Sequence, residues 1–301
     1  MLRKWMIFFI GLLGVVEAKN LRYIYLDSPL YIGGAGFFHN FTIVLGCLEM
    51  YDLYDYVGLR IDFGKQGLYY DVDYGSNWWS YYFDVLDYPP RGGYKGKPRI
   101  KTFNDFEKGE IGNGAQFYMT RERAHTLISR YLSVKAEIIE EMQSFYDTYL
   151  QGFRVIGVHY RGTDKILEAT AVSYERTIQV VCEHIESEQD KIFVATDEEP
   201  FLDAMKKAFP GKICHTSAQR IEGKPVHYAS TKCFLKGKEA LMDCLLLAKS
   251  DLLIRTNSNL STVAAFFNPT VTVVNLNNLC DALYEGVSRK GQLNELNQRT
   301  P

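Results

Sequence analysis

Two periodicities organise this chain. Residues 21–26 (LRYIYL) form a short apolar run of strand length, followed by Gly33-Gly34-Ala35-Gly36. Residues 37–55 repeat their apolar positions at helical spacing, so strand, glycine turn and helix make a Rossmann-like opening. A second strand is expected at 56–61. The stretch 69–94 (YYDVDYGSNWWSYYFDVLDYPPRGGY) is aromatic and irregular, and reads as a long surface loop or cleft wall. One long helix is expected over 120–149, with Thr120 as N-cap and Glu122 in the first turn, where the helix dipole favours an acid. Gln151-Gly152 marks a boundary. Beyond it, strands at 154–159, 191–195, 212–215, 251–254 and 271–276 alternate with helices at 173–185, 199–209, 238–249 and 258–267. The stretch 216–236 reads as a loop. Strand–helix alternation of this kind predicts a parallel sheet wrapped by helices, whose ligands sit at the carboxyl ends of the strands. The expected fold is α/β, with two such units facing across a cleft.

Composition narrows the function classes. The 301 residues suit two domains of ordinary size or one large α/β unit. A net charge of −2 gives no support to bulk nucleic-acid binding, so any anion site must be local. The first residues, MLRKWMIFFIGLLGVVEA, combine a basic start, an apolar run over 5–16 and a small-residue cleavage pattern ending at Ala18. They read as a secretory signal removed after Ala18, or as a short signal-anchor, and leave no transmembrane span in the mature chain. Six widely spaced cysteines fit an oxidising compartment without defining a disulfide framework, and Cys244 reads as a buried thiol. No zinc-ligand spacing occurs. Asn40-Phe-Thr and Asn259-Leu-Ser are glycosylation sequons that fall in segments expected to line the cleft, so neither is expected to carry a glycan.

Candidate chemistry gathers where strands end. "GVHYRGTDK" (157–165) carries His159 and Arg161 just past an apolar run. An arginine fork matches phosphate oxygens, and Asp164 or Glu168 could orient it; a structural salt bridge explains it equally well. Val194-Ala195-Thr196-Asp197-Glu198 breaks from apolar strand to acids, with Asp197 either at the site or capping the next helix. Asp243 lies among Leu241, Met242, Leu245, Leu246 and Leu247, where a buried carboxylate needs a partner. Guanine's adjacent N–H donors would suit it; otherwise Glu239 and Asp243 mark an exposed helix face. Ser258 and Asn259 open a helix whose free N–H groups could bind phosphate, or they simply cap it. Asp71-Val72-Asp73 could hold a divalent metal under a nucleotide-sugar diphosphate, although such triplets are common by chance.

Taken in order, these clusters resemble the α-1,6 and nodulation-factor fucosyltransferases and their protein-O-fucosyltransferase relatives. The first motif stands as His159-Tyr160-Arg161-Gly162-Thr163-Asp164-Lys165 with Glu168-Ala169. The second is Val194-Ala195-Thr196-Asp197-Glu198, and the third is Asp243 followed by Leu253-Ile254-Arg255-Thr256-Asn257-Ser258-Asn259. Where the family has a second arginine, this chain has Gly162. The likeness covers about residues 150–275. It implies a GT-B fold, with a signal peptide (1–18), an N-terminal acceptor-side domain (19–150), a C-terminal GDP-sugar domain (151–280) and a tail (281–301). It implies GDP-fucose as donor, a glycan or glycoconjugate as acceptor, inversion at the anomeric carbon, and no cofactor or obligatory metal. Arg161 would hold the β-phosphate, His159 and Asp243 would read guanosine, and Ser258 with Asn259 would meet phosphate or fucose. Lys165 and Asp197 join the donor site, and Gly34 and Gly36 let the backbone approach the pyrophosphate or acceptor. Glu168 would be the base, with Asp164 second. The alternatives are a transferase using another nucleotide sugar, metal-dependent through Asp71 and Asp73, and an inactive GDP- or glycan-binding protein. The leader implies a secretory lumen (ER or Golgi) or a periplasm.

Overall fold

The computed structural model describes residues 22–27, 35–53, 56–65, 67–88, 99–101, 119–162, 172–220 and 232–277. In the first half, β1 (Arg22–Asp27) leads through α1 (Phe37–Leu53) to β2 (Tyr56–Asp62), with β3 (Asp87–Tyr88) and β4 (Arg99–Lys101) later in the chain. The sheet order is β3-β2-β1-β4. β1 pairs in parallel with β2 and β4, and β3 is antiparallel to β2. The helices α2 (Arg121–Tyr131) and α3 (Ala136–Tyr149) follow.

The second half runs β5 (Val155–Tyr160), α4 (Tyr174–His184), β6 (Lys191–Thr196), α5 (Glu199–Ala208), β7 (Ile213–Cys214), α6 (Cys233–Ala248), β8 (Leu252–Arg255), α7 (Asn259–Phe267) and β9 (Thr272–Asn275). Its sheet order is β7-β6-β5-β8-β9, and every pairing is parallel. Both faces are covered, which explains the unbroken apolar runs. Successive side chains go to opposite faces. Ile156, Val158, Ile192, Val194 and Ile254 pack with Val181, Phe201 and Met205 of α4 and α5. Val155, Phe193, Ala195 and Leu253 join a second cluster with Leu246 of α6 and Phe266 of α7. That second cluster continues into the first half through Phe41, Val44 and Leu48 of α1.

Three expectations change. The helix expected over 120–149 is two helices. Thr120 caps the first as expected, accepting from the Arg123 N–H. The backbone then turns extended at Leu132, because it is captured by the 82–84 segment. Asp84 N donates to the Ser133 carbonyl and Lys135 N to the Tyr82 carbonyl, both at 2.9 Å, and Phe83 bridges Val134. The aromatic stretch from 69 is core as much as surface, for Trp78, Trp79, Tyr82 and Phe83 are buried around Phe37, Phe41 and Phe63. Its two 3-10 turns (Val72–Tyr74 and Trp78–Tyr81) are capped by Asp71 and Asn77. Finally, α6 starts at Cys233 rather than 238. The Phe234 ring stacks on Tyr74 at 3.9 Å and on Tyr82 at 5.7 Å, so the first turn of α6 is built against the other half of the chain.

Candidate functional site at the strand-order switch

Strand order in the second sheet reverses between β5 and β8, since α4 leaves β5 on one side and α7 leaves β8 on the other. In an open parallel sheet that reversal opens a crevice at the carboxyl ends of the strands. His159 and Arg161 stand at the end of β5, and Thr256, Asn257 and Ser258 at the end of β8. The two edges are tied together. Arg161 N donates to Thr256 Oγ1 at 3.0 Å, and Thr256 N to the His159 carbonyl at 3.0 Å. By strand alternation His159 shares the face of Val155, under α6 and α7.

His159 is 4% exposed, and its Nδ1 has no hydrogen-bond partner among the described residues. Burial, then the Arg161 and Arg255 guanidiniums, push its pKa down to about 3, so the ring is neutral. A neutral imidazole can accept at one nitrogen while donating at the other. Beneath it, Arg255 donates from one Nη to Ser261 Oγ at 3.2 Å and Thr262 Oγ1 at 2.7 Å. Ser258 is the N-cap of α7, its Oγ accepting from Leu260 N. Asn257 is pinned by the side chains of Asn275 and Asn277 at 3.0 and 2.7 Å. The cap at Ser258 takes the Leu260 N–H and is compatible with an anion-binding role for the remaining first-turn N–H groups.

Asp243 belongs to a second cluster, where α6 passes the end of β7. It is 6% exposed and accepts from Thr216 Oγ1 at 2.7 Å. Burial raises its pKa to about 7, partly countered by the Thr216 bond and by Arg220. Glu239 accepts from Gln219 N, and burial raises its pKa as well. The exposed-face reading of Glu239 and Asp243 is therefore overturned. Arg220 holds this loop by donating to the carbonyls of Ala218 and Thr216 at 3.1 and 3.3 Å. Thr216 and Arg220 escaped the sequence reading because they lie in an irregular stretch with no periodic signal.

Other expected residues fare differently. Asp197 lies partly buried just past β6, but it is not the cap of α5; Glu198 holds that position and makes no side-chain cap bond. Asn259 is the first residue of α7. Gly36 precedes α1 with open space where a Cβ would be, so no packing contact requires a glycine there. Gly34, Asp164, Lys165 and Glu168 lie outside the described residues. Asp71 spends its carboxylate on the backbone N–H groups of Asp73 and Phe234. Among the described residues no group of three or more His, Cys, Asp or Glu is placed to hold a metal. Asn40 is buried and its amide nitrogen donates to the Ala35 and Gly36 carbonyls at 3.2 Å, which leaves no room for a glycan.

With this geometry in view, comparison with known proteins is informative. Residues 111–294 match the family described as Nodulation protein Z (NodZ). No curated protein sequence matches. The fold is similar to that of NodZ alpha-1,6-fucosyltransferase soaked with GDP-fucose, with 17% identity, TM-score 0.55, and coverage of 83% of this chain and 94% of the other. It is also similar to fucosyltransferase NodZ from Bradyrhizobium, with 16% identity, TM-score 0.57, and coverage of 85% and 95%. POFUT1 in complex with GDP-fucose shares 12% identity at TM-score 0.50, with coverage of 86% and 99%. At these identities the likeness is one of fold, and that fold is the GT-B arrangement of two Rossmann-like units.

Proposed function

The chain belongs to the nodulation protein Z family, and from that premise we propose that it moves fucose from GDP-fucose to a hydroxyl of a glycan or glycoconjugate, inverting the anomeric carbon and needing no metal. The observation that carries this reading is Arg161, held by Thr256 at the switch crevice. There a guanidinium meets the diphosphate as negative charge grows on departing GDP. His159 and Asp243 read the guanine edge, and Ser258, Asn259, Asp197 and Lys165 complete the donor site. Glu168, or failing it Asp164, takes the proton. The acceptor oxygen attacks the anomeric carbon, the bond from that carbon to the β-phosphate oxygen breaks with its electron pair leaving on GDP, and the acceptor proton passes to the carboxylate. The same reading assigns residues 19–150 to the acceptor and 151–280 to the donor. The pattern in residues 1–18 supports delivery to a secretory lumen (ER or Golgi) or a periplasm. Among the described residues no helix is long and apolar enough to cross a membrane.

Calorimetric titration of GDP, UDP and ADP, with and without a divalent cation, tests the donor class. Tight GDP binding unaffected by chelator supports it; a preference for UDP, or a strict cation requirement, removes it. Arg161→Ala should lower turnover by about 10²–10³-fold, the loss seen on deleting a single transition-state donor elsewhere. Near-normal turnover in that variant would reject the phosphate role. Gly162, standing where the family has an arginine, favours a second reading in which the chain binds GDP without transfer. That outcome would appear as normal GDP binding with neither fucosylated product nor released fucose.

A further inference from the structure

The end of β5 is held from both flanks. On the β8 side the hold is the Arg161–Thr256 bond. On the β6 side it is a carboxylate. A Cβ built on Gly162 would lie 2.8 Å from Glu198 Cδ and 2.9 Å from Oε2, so the Glu198 head group fills the space a side chain at 162 would need. That carboxylate is not loose. Tyr174 Oη donates to Glu198 Oε2 at 2.6 Å. The Tyr174 ring is wedged edge-on against Tyr160 and Phe201, with centroids 5.3 Å away in both cases. Burial and the adjacent Glu198 push the Tyr174 phenol well up, so it stays a proton donor at physiological pH. Glu198 also occupies the N-cap of α5 without making the cap bond that such a position invites. Its head group is turned to Gly162 instead.

We propose that Glu198, clamped by Tyr174, is a positioning residue for Arg161: it replaces a side chain at 162 and seats the strand end that presents the guanidinium. This rests on the phosphate role assigned to Arg161. It explains how the motif can carry glycine at 162, because the volume is taken by the Glu198 side chain from the turn that follows β6. The competing role for Glu198 is a tie between α4 and α5, which would affect stability and nothing else.

The test is the affinity for GDP relative to GMP, which lacks the β-phosphate, measured by calorimetry alongside melting temperature. Glu198→Ala and Gly162→Ala should each lower the GDP-to-GMP preference by about tenfold, the scale of one weakened charge-assisted bond. The alanine methyl at 162 acts by evicting the carboxylate. Glu198→Gln keeps the shape and still accepts from Tyr174, so it should stay near wild type. The double variant Gly162→Ala/Glu198→Ala should be no worse than either single change, since the two act on one contact. An unchanged preference in both single variants overturns the inference, as does additive loss in the double variant, or a glutamine variant as impaired as the alanine one. A drop in melting temperature alone assigns Glu198 to the helix tie. Arg161→Ala serves as the control: if it leaves the preference intact, the phosphate role itself fails and this inference falls with it.

Discussion

His159 and Asp243 are moved in opposite senses by the same cause, removal from water. The folded state holds the Asp243 proton more tightly than an unfolded chain, whose value is 3.8. Its contribution to stability is present below pH 3.8 and is lost as pH rises through about 7. His159 behaves inversely: its contribution is present above 6.5 and is lost as pH falls toward about 3. Asp243→Asn keeps an acceptor for Thr216 and removes the buried charge. Urea unfolding should find the variant more stable than wild type at pH 8, on the order of 2–4 kcal/mol, with the gap narrowing as pH falls below about 7 and closing only below 3.8. The cost should fall on function. On the proposed guanine role of Asp243, wild-type GDP affinity should rise from pH 6 to pH 8 as the carboxyl ionises, whereas Asp243→Asn should bind weakly and without that slope. A variant that matched wild type in both measurements would dismiss the guanine assignment.

At the scale of elements, caps and crossovers decide what is presented to a ligand. Thr120, Ser173 and Ser258 each accept from a backbone N–H at the start of a helix, and the caps at Thr120 and Ser258 were legible as hydroxyls before an apolar period. Removing a cap costs about 1 kcal/mol. Thr120→Ala should therefore lose about 1 kcal/mol in chemical denaturation and leave GDP binding alone, while Ser258→Ala should lose a similar amount and also weaken GDP binding, because the proposed donor site includes the start of α7. Equal GDP affinity in the two variants would place α7 outside the donor site. The interruption at 132–135 was not legible, because its cause is pairing with a segment about fifty residues earlier in the chain.

For the whole molecule, the notable fact is that one apolar cluster crosses from α1 to α6 and α7. Phe41 meets Phe267 at 5.8 Å between ring centroids, and Arg121 donates to the Val271 carbonyl. The two halves also approach closely at Gly237, where an added Cβ would lie 2.5 Å from Tyr82 Cζ. Tyr82 Oη in turn donates to the Phe234 carbonyl at 3.0 Å. Gly237→Ala should destabilise the protein by about 1–3 kcal/mol through overpacking, and the fluorescence of buried Trp78 and Trp79 should follow the same shifted transition as the circular dichroism. Separate transitions for the two signals would mean that the halves unfold independently.

Local pattern was enough for the alternation of strands and helices, the parallel second sheet, the caps at Thr120 and Ser258, and the gathering of His159, Arg161, Asp197 and Ser258 at strand ends. Periodicity and capping are written in residues three or four positions apart, and the parallel order then places strand ends on one edge. Tertiary structure alone decided that Trp78 to Phe83 are core, that α6 begins a turn early against Tyr82, that Asp243 is paired with Thr216 and out of water, and that Glu198 lies against Gly162. Each of those depends on what the rest of the chain brings alongside. Burial and desolvation are properties of a packed neighbourhood, and no window of sequence contains one.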